Sequence, residues 1–364
     1  MRVLIIDMCR IIGINLYETL KNIRDGKDRR EGLPVIDSVD RIEIPNVFEF
    51  VSKEKSDLTD GNDVVVFVAG YDIINNYLDA VEDKILSDFA HKQIVTILSK
   101  CPSLTDERVI FRRLKQAFSG KFAMYCLPDV FGKWDDEDKP EGMINSLCIC
   151  RNNASFKLKE NIPSDFHACY IDDVIDSVLT SLRTRTTVPI SEYGCNKSYI
   201  LDFIDAAYSI NETLLMPKLQ INSFEKKLLS TFISYIGENH MSFNLRKASD
   251  ERGSFTELLK CCGEGQSSIN ISNPKITKGE HWHHSKWEIF VVVKGKGLIQ
   301  LRKIGTEQVY NFEVTGDKPE AVYMIPGYTH NLINCSDSED MVTYIWANET
   351  FDPAKPDTYR ECVN

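Results

Sequence analysis

The chain has 364 residues, 43% apolar and 27% charged, which excludes disorder and collagen-like structure and, at roughly 150 residues per domain, predicts two domains. Lys and Arg number 43 against 54 Asp and Glu, a formal charge of −11; with no basic tract, nucleic acid is not expected as a partner. The 11 cysteines are odd in number and scattered, which argues against a disulfide framework and predicts a reducing, cytoplasmic compartment. The N-terminal apolar run is too short for a signal peptide. No apolar stretch approaches the roughly 20 residues of a membrane helix, so no membrane insertion is expected.

Apolar runs at 3–6, 64–68, 94–98 and 122–127 read as buried strands. Ile12, Leu16, Leu20 and Ile23 recur at helical spacing after the first. Ile171, Val174, Ile175, Val178, Leu179 and Leu182 share one face of a later helix, and Phe224, Leu228, Leu229, Phe232 and Tyr235 mark another. Such alternation predicts an α/β unit over residues 1–244, a doubly wound parallel sheet covered on both faces. The acidic stretch 134–140 reads as a solvated loop, and the pairs Cys148/Cys150 and Cys261/Cys262 read as buried thiols. After about residue 245 the rhythm changes. Segments 267–272, 289–304, 309–315, 321–325 and 341–347 read as strands joined through Gly or Pro. This predicts a small all-β barrel or sandwich over 245–364, with 237–247 as the linker.

The last third carries the strongest constellation. His281 and His283 are two apart, so on a strand both point to one face. Glu288 can start the returning strand, and His330 can arrive from a later strand placed by Pro326-Gly327. Three imidazoles and one carboxylate form a natural set for a divalent transition metal; the ligand types suit Zn, Fe, Mn or Ni, with zinc the first expectation. His284 faces the other way by parity. Of only seven histidines in the chain, these four positions hold four.

Residues 279–295 and 316–334 resemble the two motifs of the cupin superfamily, whose barrel is a double-stranded β-helix. Residues 250–257, Asp-Glu-Arg-Gly-Ser-Phe-Thr-Glu, resemble the first strand of nucleotide-sugar epimerases of the rhamnose-pathway type. That resemblance implies that Arg252 and Glu257 hold the substrate nucleotide and its diphosphate. In the same relatives the histidine at the position of His281 is the base. A free base and a metal ligand need the same lone pair, so the role of His281 stays open, and Tyr328 is the candidate proton partner.

The first half resembles the extended short-chain dehydrogenases/reductases, which are Rossmann-like. Their dinucleotide turn is Gly-x-x-Gly-x-x-Gly; here it reads Asp7-Met8-Cys9-Arg10-Ile11-Ile12-Gly13, so Gly13 alone survives for cofactor binding. Their Tyr-x-x-x-Lys pair has its nearest echo in Phe111-Arg112-Arg113-Leu114-Lys115, and a phenyl ring donates no proton. The order of a reductase-like unit followed by a cupin resembles the CapF-like bifunctional enzymes of capsular polysaccharide synthesis. Residues 250–257, 276–279, 281–284, 326–331 and 351–353 carry that match. The resemblance implies C3 epimerisation of a UDP-2-acetamido-2,6-dideoxy-4-keto-hexose in the cupin and NADPH-dependent reduction of C4 in the other half. The eroded motifs predict that the reductase half is impaired or lost. Two alternatives are a full bifunctional epimerase/reductase and a non-catalytic nucleotide-sugar binding or assembly protein. Open strand edges in a cupin barrel predict a homodimer.

Overall fold

The apolar run at 3–6 is the middle of strand β1 (Arg2–Asp7), where Val3, Leu4, Ile5 and Ile6 are wholly buried. Burying four such side chains favours the fold by about 2 kcal/mol each. β1 lies inside a parallel sheet with β2 (Ser38–Glu43), β3 (Val64–Gly70), β4 (Gln93–Ser99) and β5 (Phe122–Cys126), in the order β2-β1-β3-β4-β5. Successive side chains alternate between two cores. Val3, Ile5, Val64, Val66 and Ile97 pack with the helix Arg10–Arg24 and the helix Ile171–Thr184. Leu4, Ile6, Val65, Phe67 and Leu98 pack with Phe50, Val81 and Ile85 on the other face. This is the expected Rossmann-like, doubly wound sheet. β2 went unread because it is a partly exposed edge strand in which Asp40, Arg41 and Glu43 break the apolar run.

A computed structural model of the chain describes all residues except 29, 55–60, 72–76, 90, 102–111, 113–121, 159–160, 221–222, 238–239, 241–242, 262–264 and 355. The Phe111–Lys115 echo and Cys262 therefore lie outside the described residues, apart from Arg112. The chain divides into two compact units, Met1–Asp205 with Gln220–Gly237, and Ala206–Leu219 with Glu238–Asn364. The first also holds a small sheet of β6 (Asp129–Phe131), β7 (Asp165–Tyr170) and β8 (Glu192–Asn196). Its acidic loop differs from a freely solvated segment. Asp135 is buried, and its carboxylate accepts from the backbone N–H groups of Glu141 and Gly142 and from Asn145 Nδ2. Cys148 is buried as expected, but Cys261 is exposed.

In the second unit the short strand β9 (Leu215–Met216) pairs with the end of β11 (Gly253–Cys261), which joins 206–219 to this unit. β10 (Lys247–Asp250), β11, β12 (Gly265–Ser272), β19 (Met341–Ala347), β14 (Glu288–Lys294) and β17 (Ala321–Met324) complete a seven-stranded sheet. Opposite it lies a five-stranded sheet of β16 (Val309–Thr315), β15 (Lys296–Lys303), β18 (Tyr328–Asn334), β13 (Thr277–Trp282) and β20 (Tyr359–Arg360). Phe290, Val292 and Met324 of the first sheet meet Ile299, Leu301 and Leu332 of the second in one core. This is the expected cupin fold. The run 289–304, read as one strand, is a hairpin that turns at Gly295, whose φ of 89° a side chain would strain.

Candidate metal centre

The two sheets bring four side chains to one point. His281 on β13 lies directly opposite His330 on β18. A bulge puts them there: Glu280 is an extra residue with φ 58°, between Gly279, paired to Asn331, and His281. Gly279 is required, because a Cβ at that position would meet the His330 carbonyl oxygen at 2.8 Å. His283 follows just past the end of β13. Glu288 opens β14 on the facing sheet. The candidate ligand atoms of His281, His283, Glu288 and His330 all lie within 4.8 Å of one another. Glu288 Oε2 is 3.6 Å from Nε2 of both His283 and His330.

The polar atoms of this set fit a cation. Nε2 of His283 and both ring nitrogens of His330 are buried without a hydrogen-bond partner, a cost that a metal ion removes. His283 Nδ1 lies 2.5 Å from the backbone carbonyl oxygen of Asp357. A neutral ring that donates there turns its Nε2 lone pair toward Glu288. Burial lowers the His281 pKa to about 4, helped by His330 and His283 and opposed by Glu288, so this ring is neutral near pH 7. Burial disfavours the Glu288 charge, but the imidazoles of His283 and His330, 3.6 Å away, outweigh it and hold the carboxyl well below its usual range. His284 is exposed, and its ring meets Trp282 and Tyr359.

Glu288 also faces a cavity of about 280 Å³, lined in part by Phe255, Glu257, Gln266, Lys286 and Ile345. Glu257 is thus beside the ligand set. Arg252 is not: its guanidinium is half exposed at the β10–β11 turn and bonds Asp250 at 2.5 Å. Tyr328 packs half-buried against the core of the unit and is not among the described residues lining the cavity. Sequence reasoning missed Lys286, a buried lysine on the cavity wall, and Asp357.

In the first unit the strand order reverses between β1 and β3, the crevice where a doubly wound sheet takes its dinucleotide. Here that crevice holds the chain's own acids. Asp7 accepts from the N–H of Cys9 at 3.0 Å and pairs with Arg41 at 2.6 Å. Glu141 accepts from the N–H of Arg10 at 3.2 Å, at the start of the helix, and lies 2.8 Å from the Cys9 thiol. Burial raises the pKa of both carboxyls, against the pull of Arg41 on Asp7 and of Cys9 on Glu141. Gly13 serves internal packing, since a Cβ there would sit 2.0 Å from the Asp7 carboxylate. These residues do not fit a dinucleotide pyrophosphate: the N–H groups of Cys9 and Arg10 are taken, and a phosphate would meet two carboxylates.

The polysaccharide biosynthesis C-terminal domain family matches residues 248–359. A UDP-2-acetamido-2,6-beta-L-arabino-hexul-4-ose reductase of Pseudomonas aeruginosa is 31% identical over 248 residues, and the chain spans 64% of its length in that match. Two solved structures resemble nearly the whole chain at a TM-score of 0.78. One is CapF with the inhibitor 3-isopropenyl-tropolone, 31% identical over 99% of each chain. The other is the capsular polysaccharide assembling protein CapF from Staphylococcus aureus, 30% identical over 99% of each chain. None of the described helices is long and apolar enough to cross a membrane.

Proposed function

The chain belongs to the CapF family, and on that premise we propose that it is a nucleotide-sugar-modifying enzyme of polysaccharide biosynthesis. In this reading its cupin unit epimerises C3 of a UDP-2-acetamido-2,6-dideoxy-4-keto-hexose. The observation that carries the proposal is the convergence of three imidazoles and a carboxylate beside a cavity that Glu257 and Lys286 also line.

The C3–H bond is weakened by the neighbouring C4 ketone. Removing that proton puts negative charge on the C4 oxygen, and returning a proton to the opposite face inverts C3. His281, His283, Glu288 and His330 would hold a divalent cation, zinc foremost, which supplies Lewis-acid stabilisation of an oxygen anion when bound. The neutral His281 ring offers one lone pair, either to the cation or to the C3 proton. Glu257 contacts the sugar nucleotide from the cavity wall. Arg252 exchanges Asp250 for the diphosphate, the role its motif implies. Tyr328 is left to packing, given its place in the core.

We assign no reduction step to the first unit. Its crevice is filled by Asp7 and Glu141, so NADPH binding is lost and the unit serves as scaffold. The enzyme works in the cytoplasm as a homodimer in this reading.

One NMR experiment tests the proposal. The whole chain is incubated with the UDP-4-keto-6-deoxy-N-acetyl sugar in heavy water, with and without chelator, while NADPH absorbance is followed in parallel. Deuterium enters at C3, chelator suppresses it, and NADPH is not consumed. Absence of deuterium uptake favours the non-catalytic binding protein, and NADPH consumption favours the full bifunctional enzyme.

A further inference from the structure

The C-terminal segment 356–363 runs beside the ligand set without belonging to it. Its residues are largely exposed apart from Val363, so polar anchors rather than apolar burial hold it in place. Asp357 is the central anchor. Its backbone carbonyl oxygen lies 2.5 Å from Nδ1 of His283. Its carboxylate accepts from the backbone N–H groups of His284, Ser285 and Lys286, each at 2.9 Å. Lys286 Nζ reaches the Thr358 hydroxyl at 3.2 Å. The next two residues, Tyr359 and Arg360, pair with Trp282 and His281 as β20.

We propose that Asp357 is a positioning residue of the metal centre: it fixes the His283 ring through its carbonyl and the 284–286 turn through its carboxylate. The inference rests on reading the four-residue set as a cation site. His283 and Glu288 are joined by that turn, whose three consecutive N–H groups face one carboxylate. Without it, those donors lose the acceptor they have among the described residues, and the turn that spaces two ligands is free to move. The backbone of Asp357 itself has φ 39°, in the left-handed region that a short polar side chain tolerates best. That conformation aims the carbonyl at one histidine while the side chain caps the turn. Burial opposes the Asp357 charge, but the three N–H groups and the Ser285 hydroxyl hold its carboxyl well below the usual range. Partners that orient a metal-binding histidine commonly change affinity by 10–100-fold, which sets the size of the effect expected here.

The test compares the whole chain with Asp357→Ala and Asp357→Asn. Zinc dissociation constants are read by competition with a chromophoric chelator, and the cobalt-loaded proteins are compared by visible absorption. Asp357→Ala should weaken zinc about 10–100-fold and alter the cobalt bands. Asp357→Asn, which keeps the shape and one acceptor oxygen, should show a smaller loss in the same direction. Hydrogen exchange of the 284–286 amides should speed up in both. Unchanged zinc affinity and cobalt spectrum in the asparagine variant would overturn the role, even where the alanine variant failed to fold. A wild-type chain that binds no zinc or cobalt would instead remove the metal reading on which the inference rests.

Discussion

Asp129 opens β6 in a fully buried position, and Asp129→Asn isolates the energetics of that carboxyl. One oxygen accepts from the Met143 N–H at 2.9 Å; the other is buried without a partner. Burial pushes the pKa up to about 7, against the opposing pull of the Met143 N–H and Lys100, while Asp135 adds to the rise. In the unfolded chain the value is about 3.9. Between these two values the native state holds a proton that the unfolded state has released. Stability therefore falls as pH rises, by about 1.4 kcal/mol per pH unit. From about pH 4 to about pH 8 the loss totals about 4 kcal/mol. Asparagine cannot titrate and keeps the oxygen that faces Met143. The variant's stability relative to wild type should thus rise by about 4 kcal/mol across that interval. Urea unfolding followed by the helical far-UV signal, which the first unit dominates, measures this difference at each pH. A difference that stays flat from acid to base would refute the assignment of a protonated Asp129 in the native state.

Two further substitutions, with Gly194→Ala as the control, examine how the first unit is locked. Gly13→Ala forces the Asp7 carboxylate away from the Cys9 N–H and Arg41 and should cost about 3 kcal/mol in thermal unfolding; Gly194→Ala, where a Cβ meets nothing within 4 Å, should be nearly neutral. Tyr235 donates its hydroxyl to the Gly132 carbonyl at 2.7 Å and accepts from the Asp135 N–H at 3.1 Å. Tyr235→Phe orphans both groups and should lower stability by about 1–3 kcal/mol, read by urea titration.

The sequence made some of this legible and hid the rest for physical reasons. Runs such as 64–68 are buried on both faces, so their strand character shows as unbroken apolarity. The face of the helix Ile171–Thr184 repeats every three or four residues and is buried at each position named from the sequence. The convergence of His281, His283, Glu288 and His330 was readable because His281 and His283 are two apart and His330 follows a Pro-Gly turn. Asp357 was not, because it reaches His283 across 74 positions through a carbonyl that every residue type possesses. Glu141 sat unnoticed beside an acidic stretch that local composition marks as loop. Only the fold reveals that Asp135 turns back its backbone, so that Glu141 caps the first helix. Arg252 shows a different limit: a motif supplies the residue type, while only the fold shows its guanidinium paired with Asp250, two residues away.

In the proposed reading the cupin interior binds one divalent cation through His281, His283, Glu288 and His330. Elemental analysis of the purified whole chain after zinc loading and desalting tests it most directly, with His330→Ala beside it. One zinc per chain in the wild type and none in the variant is the outcome this account predicts. Equal zinc in both proteins, or none in either, would contradict it.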